Sequence, residues 1–225
     1  MWVLGKDAGA GNVKRILIAG EAGKTDNYEN AMRQLGACPV TALHAPNIAK
    51  YDGLILPGGG DIDPRLFGQL PKETKFFDPI LDRIQLAILK AFVWERKPVL
   101  GICKGMQLIN IYFGGDMFQN LASAKEHEYI GRDQVHETKA SFQSQLFRLY
   151  GEKFVVNSAH HQGVDIPGQG IIYTQFAKDG VVEGLEHDYL PVSGVQWHPE
   201  RLCFQHKREN TVDGSIILRN FLKIT

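Results

Sequence analysis

One ten-residue stretch constrains this chain more than any other: Pro98-Val99-Leu100-Gly101-Ile102-Cys103-Lys104-Gly105-Met106-Gln107. An apolar run of strand character gives way, at a cysteine framed Gly-x-Cys-x-Gly, to a segment with helical spacing. A strand that turns at once into a helix at a nucleophilic residue is the nucleophile-elbow pattern, with Cys in the place of Ser. Glycines flank the cysteine because the turn is sharp and strained, and side chains beside it would collide with the flanking strand and helix. The helix N-terminus favours negative charge, which raises the thiolate fraction of Cys103. Cys38 and Cys203 have no such frame and read as structural.

Around this element the first half of the chain alternates. Lys14 to Ala19, Pro39 to Leu43, Gly53 to Leu56 and Pro98 to Cys103 are short apolar runs that read as buried strands. Helical spacing falls between or after them, at Asn27 to Leu35, from Ile80 to Ala91, and from about Gly105 to Phe113. Such an order predicts a parallel sheet covered on both faces. The second half changes to short strands at Val135 to Phe142, Phe154 to Asn157, Gly170 to Phe176, Val181 to His187 and Pro191 to Trp197. Asp179-Gly180 is a hairpin turn between two of them, and a last helix spans roughly Asp213 to Leu222. The expectation is α/β: one domain over residues 1–225 with a mixed, mostly parallel sheet flanked by helices. Residues 1–13 read as a loosely ordered extension.

Charge excludes some partners. Lys and Arg together number 25, and so do Asp and Glu, so nothing electrostatic favours nucleic acid or an anionic membrane. No apolar run approaches the ~20 residues of a membrane span, and no signal peptide is evident at the N-terminus. Three widely spaced cysteines without a CxxC pair fit a reducing cytoplasm rather than a disulfide framework or a structural zinc site.

A thiolate needs a proton acceptor and a group to orient it. Val195-Gln196-Trp197-His198-Pro199-Glu200 offers both at a strand end, where His198 and Glu200 can project the same way. Leu56-Pro57-Gly58-Gly59-Gly60-Asp61 leaves backbone N–H groups uncovered, which suits an oxyanion or a carboxylate. Neither this loop nor Gly20-Glu21-Ala22-Gly23-Lys24-Thr25 completes a phosphate-binding motif. His160 and His161 could pass for metal ligands, but no third ligand is spaced to join them, so no metal and no cofactor is expected.

At these residues the chain resembles the class I glutamine amidotransferase superfamily, and within it the C26-like γ-glutamyl hydrolases of the γ-glutamyl-γ-aminobutyrate hydrolase type. The matching segments run in family order: Gly53 to Pro64, Pro98 to Leu121, Asn157 to Gln162, Asp179 to Glu183 and Val195 to Glu200. The resemblance implies a flavodoxin-like fold and a Cys103–His198–Glu200 triad. It implies an oxyanion hole from the amides of Gly59 and Lys104, with Gln107, His160, His161 and Gln162 on the γ-glutamyl group. The residue after the nucleophile is Lys104 where these hydrolases usually carry Arg. The implied reaction is cleavage of a small γ-glutamyl amine to release glutamate. The alternative is a glutaminase subunit that delivers ammonia to a separate synthetase, the one macromolecular partner this reading would require. A homodimer is left open.

Overall fold

The computed structural model describes residues 13–45 and 47–225, so the N-terminal extension lies, but for Val13, outside the described residues. Its first half follows the alternation of apolar runs: β1 (Arg15–Ile18), α1 (Asp26–Gln34), β2 (Cys38–Thr41), β3 (Gly53–Leu56), α2 (Pro79–Trp94), β4 (Val99–Ile102) and α3 (Lys104–Tyr112). The start of α2 shows how the local sequence decides. Asp78 accepts hydrogen bonds from the Ile80 and Leu81 N–H groups at 3.0 and 3.1 Å, and Pro79 occupies the first turn, where no N–H is needed.

The second half contributes β5 (Met117–Phe118), α4 (Ala124–His127), β6 (Gln134–Ala140), α5 (Gln145–Tyr150), β7 (Lys153–Ser158), β8 (Gly163–Val164), β9 (Ile171–Ala177), β10 (Val182–His187), β11 (Val192–Val195) and α6 (Ser215–Ile224). Asp179-Gly180 forms the turn between β9 and β10, with Gly180 at φ 89°. Helix α5 has no counterpart in the sequence reading. It is only six residues long, and its start signal is a single Ser144 that caps the Phe147 N–H.

Nine strands form one mixed sheet in the order β2-β1-β3-β4-β11-β10-β9-β6-β7, and β5 and β8 pair separately. The strands from β2 to β11 run parallel, and those beyond β11 are antiparallel. Apolar runs in the parallel half bury both faces. Ile16, Ile18, Leu100 and Ile102 pack with α1 and α6, while Leu17, Leu54, Leu56 and Val99 pack with α2 and α3. This is why those strands read as continuous rather than alternating hydrophobics.

Three adjacent strands matter for function. In register, Leu56 lies beside Gly101, and Val195 beside Ile102. The loops that follow β3, β4 and β11 therefore leave the sheet at one edge, the carboxyl end, where open α/β sheets place ligands. No helix among the described residues is long and apolar enough to cross a membrane.

Candidate active site

Cys103 sits between β4 and α3 at φ 53°, ψ −110°, a conformation a non-glycine residue rarely takes. Its backbone is held there: the Cys103 N–H donates to Val195 O at 2.8 Å, and Gln107 N–H donates to Cys103 O at 3.2 Å. Both framing glycines are demanded by close approach. A Cβ on Gly101 would lie 2.6 Å from the Gly105 carbonyl, and one on Gly105 would lie 2.0 Å from Leu56 O. The helix thus runs against the strands with no room for a methyl group.

His198 and Cys103 come together over Gly58, where an added Cβ would meet His198 Cε1 at 2.8 Å and Cys103 Cβ at 3.4 Å. Sequence reading expects His198 on a strand end, with Glu200 beside it by alternation. The strand stops earlier, at Val195, and Pro199–Arg201 forms a 3-10 turn, since proline cannot continue the ladder. The contact forms all the same: His198 Nδ1 donates to Glu200 Oε1 at 2.7 Å, with both groups buried. Asn157 clamps the histidine backbone from both sides. Its Oδ1 accepts from His198 N at 2.9 Å, and its Nδ2 donates to His198 O at 3.2 Å.

Burial opposes charge on the His198 ring, but Glu200 and Cys103 outweigh it and push its pKa up to about 10 from 6.5. The imidazolium is therefore the resting form in the neutral range. A group raised in this way stabilises the fold fully below its ordinary pKa of 6.5, and the contribution is lost as pH rises through about 10. The urea midpoint should accordingly fall between these values, and any activity that needs the imidazolium as an acid should vanish along the same limb. Glu200→Gln should move that limb to lower pH. A wild-type profile that is flat to beyond pH 10 in both assays would contradict the ion pair.

The glycine loop after β3 is pinned at four of its amides. Gly58 N–H donates to Tyr28 Oη at 2.9 Å, Asp61 N–H to Phe76 O at 3.0 Å, Ile62 N–H to Gln162 Oε1 at 3.1 Å and Asp63 N–H to Asp82 Oδ2 at 2.9 Å. The Gly59 and Gly60 N–H groups have no protein acceptor among the described residues. Neither has Lys104 N–H, which opens α3 and lacks a carbonyl one turn back. The amides of Gly59 and Lys104 that the family resemblance implies as an oxyanion hole are thus among the unpaired ones. The Lys104 side chain turns away into a buried ion pair, its Nζ 2.6 Å from Asp82 Oδ1, so it braces the loop from behind.

Cys103 stands at the junction of two spaces. A recess of about 60 Å³ holds Gln107, His160, His161 and Gln162 opposite Gly59 and Lys104. A wider cleft of about 840 Å³ opens on the other side, between the Gly20–Tyr28 segment, Tyr129 and Arg201. All nine residues singled out from sequence thus line one continuous site. Gln107 is already engaged, with its Nε2 donating to Gln162 O at 3.2 Å and Gln196 Oε1 at 3.0 Å.

The two adjacent histidines part company. His161 bridges Asn120 Oδ1 at 3.1 Å and Asp61 Oδ1 at 2.9 Å, which ties the recess to the glycine loop. His160 turns inward to His127 and Glu183. No group joins the two histidines as a pair among the described residues, but His160 alone meets partners from elsewhere. For His160 the further groups come from 33 positions before and 23 after in the chain, spacings that no motif connects. Tyr28, Asp82 and Asn157 were also given no role by sequence reading, although Asn157 stands within a matching segment.

The peptidase C26 family model matches residues 21–200, which span the glycine loop, the elbow and His198 to Glu200. The chain belongs to the peptidase C26 family. Among its relatives, the glutamine amidotransferase-like protein YvdE of Lactococcus lactis is 39% identical over 165 residues, covering 68% of this chain and 70% of YvdE. The γ-glutamyl-γ-aminobutyrate hydrolase PuuD of Escherichia coli is 29% identical over 211 residues, covering 83% of this chain and 82% of PuuD. The fold is shared with a glutamine amidotransferase from Thermotoga maritima, at TM-score 0.62 and 17% identity, with 84% of this chain and 77% of that one covered.

Proposed function

We propose that this C26 protein cleaves the γ-glutamyl amide bond of a small γ-glutamyl amine through a thioester on Cys103. The observation that carries the reading is the buried Cys103–His198–Glu200 constellation beside two unpaired amides. The Cys103 Sγ adds to the γ-carbonyl, and the Gly59 and Lys104 N–H groups hold the resulting oxyanion. Collapse breaks the C–N bond, and the His198 imidazolium protonates the departing amine. A water molecule then gives its proton to His198 as it attacks the thioester. Glutamate leaves and the thiolate returns to its imidazolium partner.

The two spaces around Cys103 divide the substrate. The small polar recess suits the glutamyl half, whose α-amino and α-carboxylate groups need donors and acceptors in fixed places. The open cleft takes the amine. The names of YvdE and PuuD agree with chemistry at a glutamine-like amide. A free nucleophilic thiol also suits a reducing compartment such as the cytoplasm.

The test is a panel of γ-glutamyl amines offered to the purified chain, with glutamate release as the readout. A stand-alone hydrolase should turn over at least one of them at ~1–10³ s⁻¹. Trace activity on the whole panel, with glutamine cleavage raised by orders of magnitude when a synthetase is added, would replace this reading with the ammonia-donor one.

A further inference from the structure

Behind the recess, sharing His160 with its wall, lies a second cluster of groups to which the proposed hydrolysis gives no chemical step. Glu183 on β10 is completely buried, and three imidazole nitrogens surround its Oε1. His127 Nδ1 and His160 Nε2 each lie 3.5 Å away, and His136 Nε2 lies at 3.1 Å. These are ion-pair distances, yet neither Glu183 oxygen accepts a hydrogen bond among the described residues, and His160 Nε2 is equally without a partner.

The outer contacts fix which way the lone pairs point. His127 Nε2 faces Asp179 Oδ2 at 2.9 Å and donates to it, which in the neutral ring leaves Nδ1 as an acceptor. His160 Nδ1 donates to the Gln162 carbonyl at 3.0 Å, which leaves Nε2 as an acceptor. The nearby hydroxyl of Ser158 donates to His127 O at 3.0 Å and also lies 3.3 Å from His127 Nδ1. Two imidazole lone pairs and a carboxylate therefore converge in a buried place, where the nearest possible donor, His136 Nε2 at 3.1 Å from Glu183 Oε1, makes no hydrogen bond. A buried arrangement of that kind is costly unless a cation occupies its centre.

We propose that His127, His160 and Glu183 bind a divalent transition-metal ion, with zinc as the best match. Their ligand atoms all lie within 4.8 Å of one another. Tetrahedral zinc with bonds of about 2.0–2.2 Å separates its ligands by about 3.3–3.6 Å. The two histidine–glutamate spacings of 3.5 Å fall in that range and are long for a charge-assisted hydrogen bond. The outer partners, a carboxylate on one histidine and a backbone carbonyl on the other, are the second contacts that metal-bound histidines make. Imidazole ligands favour zinc-type ions over magnesium or calcium. The ion would join α4, β10 and the His160–Gln162 segment that walls the recess, so its role is to hold that wall rather than to react.

The experiment uses tag-free protein purified without chelator, assayed for metal by mass spectrometry. Cys103 and His198 could themselves capture zinc, so the Cys103→Ala variant is measured alongside. The expected result is about one equivalent of metal in both proteins, and loss of it in Glu183→Gln and His127→Gln. If those variants fail to fold, cobalt added to chelator-treated wild type and Cys103→Ala decides the matter. Both should develop the visible bands of nitrogen and oxygen ligation without thiolate charge transfer. Metal below about a tenth of an equivalent with no cobalt spectrum, metal that disappears with Cys103, or metal retained by folded Glu183→Gln would each overturn the proposal.

Discussion

Cys103→Ala should release no measurable glutamate from any γ-glutamyl amine, a loss of at least ~10⁴-fold, while the protein keeps its fold. Removing the sulfur deletes one heavy atom from a site that borders open space, and the backbone contacts that hold the elbow are untouched. The strained φ of 53° is no worse for alanine than for cysteine. Stability should therefore change by only about 1 kcal/mol, far less than the rate effect. Chemical labelling gives an independent reading of the same assignment. Brief iodoacetamide treatment should modify Cys103 ahead of both other cysteines, because it alone combines a helix start with an imidazolium partner. Cys203 is the natural control: burial first, and then the negative charge of Glu200, push its thiol up to about 12. Wild-type rates in Cys103→Ala with a true substrate, or equal labelling of all three cysteines, would remove the nucleophile from this account.

What the sequence showed of this site, and what it hid, follows from the distance over which each constraint acts. The elbow is legible because its geometry is written in five consecutive residues, and both glycines answer to clashes within the same strand–turn–helix unit or with the next strand. His198 and Glu200 are legible because two positions of separation suffice, whether along a strand or, as here, around a proline turn. The strands of the parallel half were found because burial on both faces makes them uniformly apolar. The groups that hold the machinery rigid are another matter. Tyr28 reaches Gly58 across 30 positions, Asn157 reaches His198 across 41, and Gln162 reaches Ile62 across 100. None of these residue types is unusual for a surface, and although Asn157 and Gln162 stand in a family segment, nothing local shows which backbone groups they hold. The Lys104–Asp82 pair was missed for a related reason. A lysine beside a nucleophile invites a substrate contact, whereas its burial against α2 is visible only once the two helices are packed.

The other large effect is predicted at Gly105. Replacing glycine by alanine inside a helix ordinarily gains about 1 kcal/mol, because alanine is the better helix former. Here the sign should reverse. The new Cβ would lie 2.0 Å from Leu56 O, 2.6 Å from its carbonyl carbon and 2.7 Å from its Cβ, and two of these are backbone atoms that cannot rotate aside. Relief requires α3 to lift from β3 by more than an ångström, which would carry the Lys104 amide and Cys103 away from the glycine loop. A misplacement of that size costs on the order of 10²-fold in rate by itself, and the overpacking should remove about 3 kcal/mol or more of stability. Gly59→Ala supplies the contrast, since its Cβ would meet only the flexible Lys104 side chain, at 3.1 Å from Cδ. That variant should unfold near the wild-type midpoint and suffer mainly in turnover, through the shape of the loop that presents its amide. Urea denaturation and glutamate release, measured on both variants, separate the two cases. If Gly105→Ala matched wild type in midpoint and in rate, the tight seat of α3 on β3 could not be what positions the elbow.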